Sequence, residues 1–109
     1  MGGDPITEAN ETVDRLFLEV ENLRQLEYAA ARTEVAYRRA RAAAYENATG
    51  SVAARGHQVD RVTAGESETR YRAAADVRVQ VELLRVLRQK VDVKRSEIAT
   101  DRSLSGMGT

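Results

Sequence analysis

Apolar residues recur along this chain at helical spacings. Leu16, Leu23, Ala30, Tyr37 and Ala44 return every seven residues, with Val20, Leu26, Thr33 and Ala40 beside them. A stripe of that period is one face of a helix meeting another helix. It predicts a first helix over about residues 7–48. Pro5 suits a first helical position, and Glu8 and Glu11 suit the positive end of the helix dipole. Thr49-Gly50 offers a stop, because glycine adopts the left-handed conformation without penalty.

A short second helix is expected over about 52–64, with Ser51 as its N-cap and Gly65 as its end. Val52, Ala53, Val59 and Val62 are its candidate inward residues. A third helix is expected over about 67–102, capped by Ser67 or Thr69. Val77, Leu84, Val91 and Ile98 repeat every seven residues along it, with Val81 and Leu87 beside them. Val79, Leu83, Val86 and Val93 form a second set. At 100° per residue, Val79 lies about 200° from Val77. The middle of this helix is thus apolar on two nearly opposite sides, and one partner helix cannot cover both.

The predicted fold is therefore all-α: an elongated antiparallel hairpin of two long helices with a short connecting helix, assembled into an oligomeric bundle. Its hairpin core is expected to contain Leu16, Val20, Leu23, Tyr37, Val77, Leu84, Val91 and Ile98. Val79, Leu83, Val86 and Val93 are the expected self-association residues, with a dimer favoured. Residues 6–102 would form one helical domain between flexible ends at 1–5 and 103–109, which are rich in Gly, Ser and Thr.

Composition narrows the chemistry. The chain has 109 residues, no Cys, no Trp and a single His, His57. A disulfide framework and a Cys-based zinc site are excluded, and one imidazole cannot build a His-rich metal site or much of a catalytic apparatus. Glycine-rich phosphate loops are absent, and Gly50, Gly56 and Gly65 stand alone. Glu19 and Glu21 would diverge by about 200° on a helix, too far to act as a carboxylate pair. His57 reads as an exposed or capping residue, and Tyr28, Tyr37, Tyr45 and Tyr71 as fillers at the edge of the core. No catalytic residue, metal or cofactor is expected, and the chain is read as a non-enzyme.

No apolar run reaches the ~20 residues of a membrane span. The first residues also lack a basic stretch followed by an apolar one, so a cytoplasmic location is expected.

Lys plus Arg and Asp plus Glu number 17 each. The balance is uneven along the chain: residues 1–30 hold seven carboxylates against Arg15 and Arg24. The end of the third helix is basic, and Arg88, Lys94, Arg95 and Arg102 are candidate phosphate contacts. Internal pairing is the favoured reading, because an antiparallel hairpin lays that basic end beside the acidic start of the first helix. Zero net charge and the lack of aromatic platforms also argue against a nucleic-acid surface.

The run Tyr37-Arg38-Arg39-Ala40-Arg41-Ala42-Ala43-Ala44-Tyr45, then Thr49-Gly50-Ser51-Val52-Ala53-Ala54-Arg55, then a long helix ending Arg95-Ser96-Glu97-Ile98, resembles small all-helical accessory proteins of actinobacterial bacteriophages and prophages. The resemblance covers roughly residues 10–102. It implies an accessory phage protein acting in the host cytoplasm and supplies no catalytic residues. Three functions are then in view: an interaction protein that self-associates and docks a protein partner, a nucleic-acid-binding accessory factor in phage replication or recombination, and a virion assembly or scaffolding component.

Overall fold

The structure is a computed structural model and describes the backbone of residues 4–107 and the side chains of residues 4–104. The chain is an all-α helical hairpin. Its arms are α1 (Pro5–Asn47) and α3 (Ala64–Met107), and α2 (Val52–Val62) is the short connecting helix. The arms have 43 and 44 residues, about 65 Å each at 1.5 Å per residue.

Local chemistry explains each end. Pro5 opens α1, where its missing N–H would have no helical partner. The Asp4 carboxylate accepts from the Ile6 N–H at 3.3 Å, and the Asp4 carbonyl accepts from the Glu8 N–H at 3.0 Å. Gly50 carries the only positive φ among the described residues, +100°, and turns the chain after α1. Ser51 caps α2, its hydroxyl accepting from the Ala54 N–H at 3.2 Å.

The second junction differs from expectation. Gly65 does not end α2; it lies in the first turn of α3, and neither Ser67 nor Thr69 is a cap. A single residue, Thr63, separates the helices, with φ −99° and ψ 12°. Its N–H and hydroxyl both donate to the Val59 carbonyl, and its own carbonyl accepts from the Ser67 N–H. Thr63 thereby ends one helix and starts the next without a positive φ, so no glycine is needed there. At its far end α3 continues past Arg102 to Met107, because no proline or left-handed residue interrupts it. Helix thus replaces the loose end expected over 103–107. Residues 1–3 and 108–109, also expected to be loose, lie outside the described residues.

The chain divides into two compact units. The first comprises Met1–Leu23 and Val79–Thr109, the second Arg24–Arg78. In the first, α1 and α3 pair antiparallel: Glu8 meets Lys94, and Glu19 meets Gln80. Leu84, Leu87 and Val91 are buried along the seam, facing the half-buried α1 positions Ala9, Thr12, Leu16, Glu19 and Leu23. Ile98 is half-buried farther along.

One expected core position is corrected here: Val20 is exposed, and so is Val81, which the spacing places beside the α3 stripe. The seam repeats every seven residues through Thr12 and Glu19 on α1, and through Gln80, Leu87 and Lys94 on α3. Val20 and Val81 each lie one residue, about 100°, off it. The polar residues Glu19 and Gln80 occupy the places that hydrophobicity alone assigns to the valines.

In the second unit α2 packs through Val59, which is fully buried, and Thr63. Val52, Ala53 and Val62, expected to face inward, are exposed. The inward face runs through Gly56, Val59 and Thr63, and Val62 is about a quarter-turn away from it. Val52 and Ala53 lie at the opening of the helix. Gln58 fastens the loop: its amide donates to the Thr49 carbonyl at 2.8 Å and its oxygen accepts from the Thr49 N–H at 3.3 Å. Leu26, Ala30, Thr33, Tyr37 and Ala40 of α1 and Val77 of α3 are half-buried.

Candidate interaction surface

The self-association residues lie in the first unit, away from its seam. In the chain by itself Val79 is 70% exposed, Val86 50% and Val93 56%. Leu83 is half-buried. Val79, Val86 and Val93 are spaced by seven and Leu83 lies four after Val79, so the four share one face. The hairpin partner helix does not cover this face, and the side chains have apolar area left to bury.

The expected hairpin core divides between the two units. Leu16, Leu23, Leu84, Val91 and Ile98 flank the seam of the first unit, while Tyr37 and Val77 belong to the second.

The candidate phosphate contacts separate into two kinds. Lys94 is not available to phosphate. Its ammonium lies 2.6 Å from the Glu8 carboxylate and 3.4 Å from Glu97, which makes it part of the seam. Its pKa is raised above the ordinary 10.5, first by the hydrogen bond to Glu8. For Lys94 the internal-pairing reading therefore applies. Arg88, Arg95 and Arg102 are exposed. The register set by Glu8–Lys94 and Glu19–Gln80 explains why they lack the same partners: it places the apolar positions Ile6, Val13 and Val20 of α1 along the edge that carries Val81, Arg88 and Arg95. Positions 6, 13 and 20 of that edge carry no carboxylate, and Asp4 at its start lies in one groove with Arg102.

The polar pair inside the seam is a feature that hydrophobic periodicity missed. Gln80 is only 9% exposed. Its amide donates to the Glu19 backbone carbonyl at 2.9 Å and to the Glu19 carboxylate at 2.6 Å. A one-turn slip of the helices would leave this buried amide without acceptors, so the pair specifies register. The available signal was positional: residues 19 and 80 continue the seven-residue repeats but carry polar side chains.

The Gln80 hydrogen bond lowers the Glu19 carboxyl below its ordinary 4.5, helped by Asn22 and Arg15 against partial desolvation. A lowered carboxylate pKa stabilises the fold above the unfolded value, and that contribution is lost as pH falls through the folded value. A raised lysine pKa stabilises below the unfolded value and is lost as pH rises through the folded one. Thermal stability should thus be flat near neutrality, fall on the acid side below about pH 4.5 and fall again above about pH 10.5. In a melting series followed by circular dichroism, Glu19→Gln should have a shallower acid limb than the parent. An unchanged limb would remove Glu19 from the account.

The second unit carries an arginine–tyrosine ladder. The Arg70 guanidinium lies 4.3 Å from the Tyr37 ring centroid, and Arg41 lies 5.6 Å from both Tyr37 and Tyr45. Arg70 also pairs with Glu34 at 3.4 Å, and Arg41 with Asp60 at 2.8 Å. Tyr37 thus holds arginines from both arms against one ring, a use beyond edge filling. Of the neighbouring cluster, Arg38 pairs with Glu34 on its own helix and Arg39 is exposed. These contacts fasten α2 and α3 to α1.

Among the described residues no group of three His, Cys, Asp or Glu side chains could hold a metal. No helix among them is long and apolar enough to cross a membrane. His57 is exposed. No protein-family model, curated protein or solved structure matches the chain.

Proposed function

We propose that this chain is a non-enzymatic helical interaction protein that self-associates through Val79, Leu83, Val86 and Val93 and, once assembled, docks a protein partner. The observation that carries the reading is the exposure of Val79, Val86 and Val93 on one face of α3, outside the seam that α1 covers. A second copy supplies the same face, and two such faces meet about a two-fold axis, the commonest symmetry of soluble oligomers. Two hairpins joined in this way make a four-helix arrangement in the first unit. The lone exposed His57 and the absence of Cys support a role without catalysis. The composition and the resemblance to phage accessory proteins favour work in the host cytoplasm.

Size-exclusion chromatography with light scattering tests the reading. It is run at micromolar protein and an ionic strength of about 1 M, where charge contacts are screened. The expected mass is twice that of the 12.1 kDa chain. A single-chain mass under those conditions overturns it.

A further inference from the structure

The first unit carries two further patches that the apolar α3 face does not use. One is basic with an apolar start: Val81, Arg88, Arg95 and Arg102 stand every seven residues along α3, all exposed. At 100° per residue this stripe lies about 160° around the helix from Val79, Val86 and Val93. A contact through the valines therefore leaves the arginines outside. The other patch is acidic with an apolar centre. On α1, Phe17 is 71% exposed and Leu18 61% exposed, and the exposed carboxylates Glu11 and Asp14 share their side of the helix.

We infer that these two patches dock onto each other between copies of this chain, forming a second, heterologous self-contact. Three observations on the molecule converge on a second copy as the occupant. The chain has equal numbers of cationic and anionic side chains but segregates them, so the complement of the basic stripe is carried by the same protein. Both patches combine exposed apolar area with an excess of charge of one sign, net of Arg15 beside Glu11 and of Asp92 between Arg88 and Arg95, and the two excesses are opposite. For Arg88 and Arg95 the intramolecular alternative is closed, because the α1 edge beside them presents Ile6, Val13 and Val20, whereas Arg102 shares a groove with Asp4. A contact between unlike patches does not close on itself after two copies; it builds rings or open chains. The apolar α3 contact then makes the dimer, and the charged contact joins dimers into larger assemblies at low ionic strength. The second contact does not require the first.

The experiment is light scattering of the full chain at one protein concentration, at ionic strengths of about 0.01 M and about 1 M, where the screening length is about 30 Å and about 3 Å respectively. The expected mass at low ionic strength is at least about twofold that at high ionic strength, since charge contacts at exposed positions are lost to screening. Arg88→Glu/Arg95→Glu/Arg102→Glu removes the increment, as does Glu11→Arg/Asp14→Arg. All five substitutions in one chain restore it. The neutral set Arg88→Gln/Arg95→Gln/Arg102→Gln also removes it, which keeps the test open should charge reversal unfold the hairpin; helix content is followed by circular dichroism. Equal masses at the two ionic strengths overturn the inference, as does an increment that survives either reversal or fails to return in the combined chain. Arginine-dependent capture of a duplex oligonucleotide at low ionic strength, with no increment in protein mass, assigns the stripe to phosphate instead and also overturns it. The mass at high ionic strength reads the apolar contact alone, so failure of one contact is distinguishable from failure of the other.

Discussion

Leu87→Ala should lower the free energy of unfolding by about 2–5 kcal/mol, the range for truncating a buried leucine. Leu87 is 2% exposed, one turn from Leu84 and Val91 along the seam of the first unit. These three are the only buried hydrophobic residues of that unit among the described residues. Removing one leaves a cavity that two long helices can close only by bending, so both the lost transfer energy and the cavity count against the fold. For a chain this small such a loss is a large share of total stability, because native domains are stable by only about 5–15 kcal/mol. Urea unfolding followed by circular dichroism measures it. Val79→Ala is the informative contrast. Val79 is 70% exposed in the single chain, so its truncation should cost little at high dilution and more as protein concentration rises. A Leu87→Ala loss under about 1 kcal/mol would place the core elsewhere.

Val79→Glu/Val86→Glu/Val93→Glu should weaken self-association by more than about 100-fold, which corresponds to about 2.8 kcal/mol at a tenfold change per 1.4 kcal/mol. In a two-fold interface each substitution occurs twice, so six carboxylates would face one another in a space that had excluded water. The hairpin itself should survive, since none of the three valines contributes to the buried seam. Light scattering over a dilution series, with circular dichroism on the same samples, separates the two outcomes. Dissociation with helix retained agrees with the proposed function. An unchanged dissociation constant moves the interface off this face.

The helical repeat was readable because a seven-residue period survives any choice of partner. Leu16, Leu23, Leu84, Val91 and Ile98 could be assigned from spacing alone, as could the glycine turn at Gly50 and the Ser51 cap, which depend on residues within four positions of each other. Expectation and structure part where side-chain identity and helical position disagree. Val20 and Val81 look like core by composition, yet the seam passes through Glu19 and Gln80, which satisfy each other across it. Neither polar residue looks like a core residue until its partner, 61 positions away, is in view. The spacing favours internal pairing of the basic end, and Lys94 does pair, but the sequence does not name Glu8, 2.6 Å away, as its partner. The sequence points to Gly65 rather than Thr63 as the helix end, since a threonine that closes one helix and opens the next has no short sequence signature.

By itself, the sequence determined that the chain is all-α, that it folds back once near Gly50, and which period each arm buries. Those properties rest on local propensity and spacing, which every residue carries with it. Only the tertiary structure decided which of two adjacent positions lies in the seam, which cations are engaged and which apolar residues stay in water. These depend on the rotation and register of one helix against another. Pairs such as Glu8–Lys94, Glu19–Gln80 and Glu34–Arg70 join residues far apart in the chain, and a helical wheel drawn for one helix contains no information about its neighbour.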